Sequence, residues 1–223
     1  MNGMADLDVR TPIFIFGAGG HGRELAELVN ALAQAGSPWR LAGFLVDPEF
    51  APNCDTVVGY PLHLADTWLE SNAHCALAVG VGDPSARSAI VQRAMNRQRG
   101  FSFPTLIHPA SWVASRARLG EGCHVFAGCQ ISVEVCIGRH VSINIGCSVS
   151  HDCSLGDFTN LGPGVRLPGR VQVGAACEIG TAACVLPGVS LGPGCRVGAG
   201  SVVTRDVAAG LTVAGVPARP LKR

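Results

Sequence analysis

The sequence predicts two joined units. The first is a small α/β domain of Rossmann-like strand–helix order, and the second an all-β parallel β-helix of six-residue repeats. Two observations carry this: an unbroken period of six through the second half, and a glycine loop set between a strand and a helix near the start. From Ile107 to Val203 every sixth residue is Ile, Leu or Val, at 17 positions without an insertion. At ordinary aliphatic frequencies such a run arises by chance well under about one time in a million. Six is neither the 3.6 of an amphipathic helix nor the 2 of a single strand. It describes short strands joined by turns, each giving one aliphatic to the interior. Three hexads make an 18-residue triangular coil, so the 16 hexads from 107 to 202 build about five coils. At a rise of about 4.8 Å per coil the prism is about 25 Å tall.

The other positions of the hexad follow. Glycine comes directly after the aliphatic at 120, 138, 156, 162, 174, 180, 192 and 198, where tight corners with unusual φ are expected. The fifth position takes small or β-branched residues such as Val135, Thr159, Val165 and Ser201. Six cysteines (Cys123, Cys129, Cys147, Cys153, Cys177 and Cys195) share that position and read as small buried hydrophobes. No Cys-x-x-Cys pair occurs and no signal peptide is evident, so reduced thiols and a cytoplasmic location are expected.

In the first third, residues 12–16 read as a buried strand, followed by Gly17-Ala-Gly-Gly-His-Gly-Arg-Glu and a helix over Leu25–Ala35. A second strand spans 41–46 and ends at Asp47. A third spans Cys75–Val81, then Gly82-Asp83-Pro84 and a helix over Ser85–Arg99. Alternating strand and helix implies a parallel α/β domain over 1–106, with the β-helix and tail over 107–223. Gly17-x-Gly19-x-x-Gly22 matches the dinucleotide fingerprint, and Asp47 stands near the place of a ribose-binding acid. Backbone N–H groups at a helix start hold phosphates. About 100 residues is half of a full dinucleotide fold, so a nucleoside diphosphate fits better than NAD. A tight turn without ligand is the plain alternative.

Net charge is +1 with mixed signs, and no apolar run approaches 18 residues. Nucleic-acid binding and membrane insertion are therefore not expected. His63 and His74 lack a motif and read as surface loop residues. His108, His124 and His140 are spaced by 16 rather than 18 and occupy different hexad positions, against a three-histidine metal site. His151 is the catalytic candidate. It stands third in its hexad, near a corner, beside Asp152, and eighteen residues before Gly169, whose missing side chain leaves room for the imidazole. A histidine suits general-base work near neutral pH and a carboxylate orients it. An exposed corner histidine beside a turn aspartate is an equal reading from spacing alone.

The glycine loop, the continuous hexads, Asn144…His151-Asp152-Cys153 and the tail Gly215-Val216-Pro217-Ala218 together resemble the sugar O-/N-acyltransferase family of hexapeptide-repeat transferases. That group includes nucleotide-4-amino-sugar N-acetyltransferases of bacillosamine and perosamine synthesis, and sialic acid O-acetyltransferases. The similarity spans roughly residues 12–220. It implies a left-handed β-helix, a homotrimer, acetyl-CoA bound between neighbouring helices, and no metal. His151 becomes the general base, and Asp152 raises its basicity. Gly19, Gly20, His21, Asp47, Gly82 and Asn144 fall to the nucleotide sugar; Asn160 and the backbone near Thr181 and Ala199 fall to acetyl-CoA. Many members carry a second histidine where this chain has Asn160, whose amide can still donate to a carbonyl. His151 and Asn160 are nine residues apart, half a coil, so joint action requires two subunits. The resemblance implies N-acetylation of a nucleotide-linked 4-amino-sugar for bacterial surface glycans; O-acetylation of a sialic acid-type sugar and a non-catalytic nucleotide-binding scaffold are the alternatives. Arg219, Lys222 and Arg223 are candidates for CoA phosphates or for a solvated tail.

Overall fold

The structure, a computed structural model, describes residues 10–221; Lys222 and Arg223 of the basic tail lie outside them. The N-terminal sheet has five strands: β1 (Thr11–Phe16), β2 (Trp39–Val46), β3 (Thr56–Val57), β4 (Tyr60–Leu64) and β5 (Ala76–Val79). Their order is β3-β4-β2-β1-β5, parallel except for the β3–β4 pair. Helices α1 (Gly20–Gln34), α2 (Ala65–Ser71) and α3 (Pro84–Asn96) complete the domain.

Helix α1 starts at Gly20 rather than at Leu25, because the glycine loop itself forms its first turn. Leu25, Ala26, Leu28 and Val29 are its buried stripe, as an i, i+3, i+4 pattern requires. Residues 56–71 carry elements that the periodicity did not announce. Pro61 within β4 and the two-residue β3 obscure any alternation. His63 is accordingly not a loop residue: it sits in β4, half-buried, edge-on to Phe14 with centroids 6.1 Å apart.

From Leu106 onward the chain winds through two-residue strands, each ending on one of the 17 periodic aliphatics. They stack into three parallel sheets whose partners are 18 residues apart, such as Gln130↔Ser148, Cys136↔Ser154 and Ser142↔Asn160. The first face carries Ser142–Ile143 and Asn160–Leu161, the second Ser148–Val149, and the third Ser154–Leu155. The interior is aliphatic, with Ile131, Ile143, Val165, Leu167 and Val185 fully enclosed.

The corners work differently from expectation. The glycines that follow the aliphatics do not have positive φ. They are needed because the next coil lies against them: a Cβ on Gly138 would stand 2.7 Å from Asp157 N, and one on Gly156 2.4 Å from Ala175 N. The left-handed residues come two places later, a series that includes Glu134, His140, Asp152, Phe158 and Arg170 as well as glycines.

All six fifth-position cysteines are buried, and every cysteine is a free thiol. More than size is involved. Cys123 donates to Gly138 O at 3.0 Å, Cys147 to Gly162 O at 3.1 Å and Cys177 to Gly192 O at 3.2 Å. Thr159 makes the same bond to Gly174 O at 2.8 Å. Where the position holds Cys or Thr it adds a donor that satisfies a corner carbonyl, which the valines at 135 and 165 do not.

The two units share one seam. Leu106 and Phe126 of the first coils belong to the same apolar cluster as Ile13, Ile15, Leu25 and Val29.

Candidate active site

The carboxyl ends of β1, β2 and β5 run into Gly17, Asp47 and Gly80, and these line a single cavity of about 710 Å³. The loops meet backbone to backbone. A Cβ on Gly22 would stand 1.9 Å from Gly17 O, and one on Gly80 2.6 Å from Gly22 Cα. Gly19 and Gly20 face open space instead, leaving the backbone approachable from the cavity. Gly19 caps α1 without a side-chain bond, and the first turn holds no acidic residue. The free N–H groups and dipole of a helix start set this way favour an anion.

Five of the six residues assigned to the nucleotide sugar, namely Gly19, Gly20, His21, Asp47 and Gly82, line this cavity; Asn144 does not. Asn144 stands at the corner after the first face, where its Oδ1 accepts from Ile145 N at 2.7 Å. Asp47 is held by Arg93 of α3 at 2.8 Å, and that guanidinium lies 4.9 Å above the Phe16 ring. His21 is half-buried against Phe126 and approaches Ser142 Oγ at 3.4 Å. Burial lowers its pKa, with Glu24 opposing and Arg87 adding to the effect.

His151 and Asp152 form the corner between the second and third faces, and both are about half exposed, 51% and 53%. His151 Nδ1 lies 2.8 Å from Asp152 Oδ2. A carboxylate only accepts, so Nδ1 is the donor, and in the neutral imidazole Nε2 holds the lone pair. Asp152 has φ +59°, a conformation that aspartate tolerates better than most residues. The room predicted over Gly169 exists: a Cβ there would stand 2.4 Å from His151 Cε1 and 2.5 Å from Nε2. Gly169→Ala therefore displaces the imidazole. An active-site misplacement on the ångström scale costs on the order of 10²-fold, so kcat of this variant is expected to fall by about that much while its melting temperature stays near wild type. Unchanged kcat would sink the placement.

Thr181 and Ala199 are exposed and stacked at the corner between the first and second faces. Asn160 lies on the first face, under the cavity loop, with Nδ2 donating to Gly82 O and Oδ1 enclosed without a partner. The donor expected to serve a thioester carbonyl is thus engaged by the loop. The assigned residues of one chain therefore occupy separate places. The cavity is seated on the corner between the third and first faces, Thr181 and Ala199 stand at the next corner, and His151 at the remaining one. One face is six residues, up to about 20 Å of chain. His151 does not line the cavity.

Three residues escaped sequence reading. Arg87, Arg93 and Phe50 all bear on the cavity, and nothing in their spacing marks them. His124 and His140 are buried in the seam rather than spread around a bare prism. Burial drives the His124 pKa well down; with Arg87 and Arg139 adding, it takes His140 to about 4. Among the described residues no three metal-ligating side chains are grouped.

The arrangement of a glycine-loop α/β domain on a hexapeptide prism defines a class, the hexapeptide-repeat transferases. A family model for the PglD N-terminal domain matches residues 12–94, and one for the bacterial transferase hexapeptide (six repeats) matches 170–205. Among solved structures, PerB from Caulobacter crescentus, in complex with CoA and GDP-perosamine, is 34% identical, with 95% of this chain and 97% of that chain covered and a TM-score of 0.84. The acetyltransferase domain of PglB from Neisseria gonorrhoeae, in complex with acetyl coenzyme A, is 32% identical, with 95% and 100% covered and a TM-score of 0.85. WeeI from Acinetobacter baumannii is 26% identical over 95% and 100%, with a TM-score of 0.83. A search of curated proteins returned no match. The chain belongs to the sugar acyltransferase family of hexapeptide-repeat enzymes, with an α/β N-terminal domain and a left-handed β-helix.

Proposed function

We propose that this enzyme transfers the acetyl group of acetyl-CoA to the amino group of a nucleotide-linked 4-amino-sugar, in a homotrimer with active sites between subunits. What carries the reading is the separation of parts: an anion-type cavity on one corner and an exposed His151–Asp152 pair, which does not line it, on another. A neighbouring prism supplies the missing half. Whole-chain similarity to a protein crystallised with CoA and GDP-perosamine supports the ligand assignment.

The diphosphate docks at Gly19 and Gly20 beneath the start of α1, with Asp47 and Arg93 at the nucleoside end and His21 and Gly82 along the wall. Asn144 stands outside the cavity and has a place only on the sugar side of the interface. Acetyl-CoA runs along the corner of Thr181 and Ala199 toward Asn160. The amine attacks the thioester carbonyl as His151 Nε2 takes its proton; the C–N bond forms, the C–S bond breaks, and the imidazolium returns the proton to the departing thiolate. Asp152 holds Nδ1–H throughout. Oxyanion donors of this kind are worth roughly 3–4 kcal/mol each, and free backbone N–H groups of the neighbouring corner fit that task better than Asn160 Nδ2, which the loop engages. No helix among the described residues is long and apolar enough to cross a membrane, and a cytoplasmic place in surface-glycan synthesis fits nucleotide-activated substrates.

The test is CoA thiol release from acetyl-CoA with UDP-, GDP- and dTDP-4-amino-sugars, and with free sialic acid as a further acceptor. Release with one amino-sugar nucleotide is expected. Release with sialic acid alone would replace the reading by O-acetylation, and silence with every acceptor would overturn it.

A further inference from the structure

Arg87 of α3 is only 1% exposed, yet none of its hydrogen bonds goes to a carboxylate. Its guanidinium donates to four backbone carbonyls: Val81 at 2.9 Å, Gly82 at 3.2 Å, His140 at 3.1 Å and Phe158 at 2.6 Å. Two of these belong to the cavity wall and two to successive coils of the prism. Gly82 O also accepts from Asn160, so the wall is pinned from beneath at two points. Asp83, whose charge acts on the guanidinium more than that of Glu178, makes no hydrogen bond to it and caps α3 through Ala86 N.

A buried cation without a paired anion is costly, and carbonyl dipoles only partly offset it. The charge reaches the cavity and the seam: it adds to burial, the larger cause, in lowering the pKa of His21, which lines the cavity, and of His124 and His140. Burial, with Arg87 adding to it, disfavours the cationic form of all three histidines, and Arg87 is left as the fixed positive charge behind the wall.

We infer that Arg87 is a positioning and charge-supplying residue for the nucleotide sugar: it fixes the Val81–Gly82 wall on the prism, and the substrate diphosphate is its missing counter-ion. It acts through the wall and touches neither reacting atom. This rests on the nucleotide reading of the cavity and adds where the cation for the diphosphate sits. A strut alone would affect every ligand of the cavity alike; a counter-ion discriminates by phosphate charge.

The experiment measures binding of GDP, UDP and dTDP, each against its nucleoside, to the wild-type protein and to Arg87→Gln and Arg87→Lys. For the diphosphate that the wild type binds, Arg87→Gln is expected to weaken affinity roughly tenfold or more, as loss of a unit charge in a partly screened site requires, and to change nucleoside affinity less than about twofold. Arg87→Lys keeps the charge and is expected to retain most of the diphosphate preference. The His21 titration, followed by NMR, should rise in Arg87→Gln and stay near wild type in Arg87→Lys, with matched melting curves showing that the glutamine variant keeps its fold. Equal loss of diphosphate and nucleoside would reduce Arg87 to a strut and overturn the inference. So would unchanged binding. Failure of the wild type to bind any of the three would instead overturn the nucleotide reading, and this inference with it.

Discussion

His151→Ala is expected to lower turnover by about 10²–10⁴-fold, the range for removal of a positioned general base, with the fold unchanged. The side chain is half exposed at a corner and supports no core contact, so its loss leaves the aliphatic stack intact. The chemistry rests on which nitrogen is free. Asp152 takes Nδ1–H at 2.8 Å, which leaves Nε2, over Gly169, as the proton acceptor. Asp152→Asn tests that geometry at nearly constant shape. An amide N–H facing Nδ1 selects the opposite tautomer, with the proton on Nε2, and the ring then cannot accept one; a loss of roughly 10²-fold or more is expected. Steady-state thiol release with matched melting curves decides the matter. Near-normal turnover in His151→Ala removes His151 from the mechanism, whatever the acceptor.

Two inactive variants are expected to rescue each other. Gly19 faces open space, so Gly19→Trp fills the cavity without striking the fold. His151→Ala leaves the cavity intact. If each site takes its cavity from one chain and His151 from a neighbour, a mixed trimer contains sites with both halves native. With equal, random assembly a site has one chance in two of each native half, so about one quarter of wild-type activity returns on co-expression. If cavity and base belonged to one chain, every site would carry a lesion and activity would stay at background. The experiment reads subunit sharing directly and needs no knowledge of which sugar is used beyond an active acceptor.

The prism is legible in the sequence. A six-residue aliphatic period has one economical solution, and the 18-residue register of Gln130 with Ser148 and Ser142 with Asn160 is that solution. The glycine loop was legible because Gly17 and Gly22 meet at a separation no side chain allows. His151 with Gly169 was legible too, since stacking converts a sequence offset of 18 into direct contact. The reason for the post-aliphatic glycines was not: sequence pointed to unusual φ, whereas the constraint is the backbone of the next coil pressing on Gly138 and Gly156. Nor did sequence show why cysteines fill the fifth position, because a hydrogen bond from Cys123 to Gly138 O joins residues whose relation depends on corner geometry.

What the sequence determined by itself is therefore everything that repeats locally or at the coil period: the β-helix, its aliphatic interior, the loop that opens α1, and the His151–Asp152 pair. Tertiary structure decided what depends on how the α/β domain is seated: that Arg87 reaches His140 and Phe158, that Asn160 is turned to Gly82, that Arg93 grips Asp47, and that cavity and base stand on different corners. The physical reason is range. Periodic burial is encoded within one coil, where each residue meets its partner 18 places on. The seam joins residues 53 and 71 positions apart in the Arg87 bonds, and no spacing rule carries over that distance.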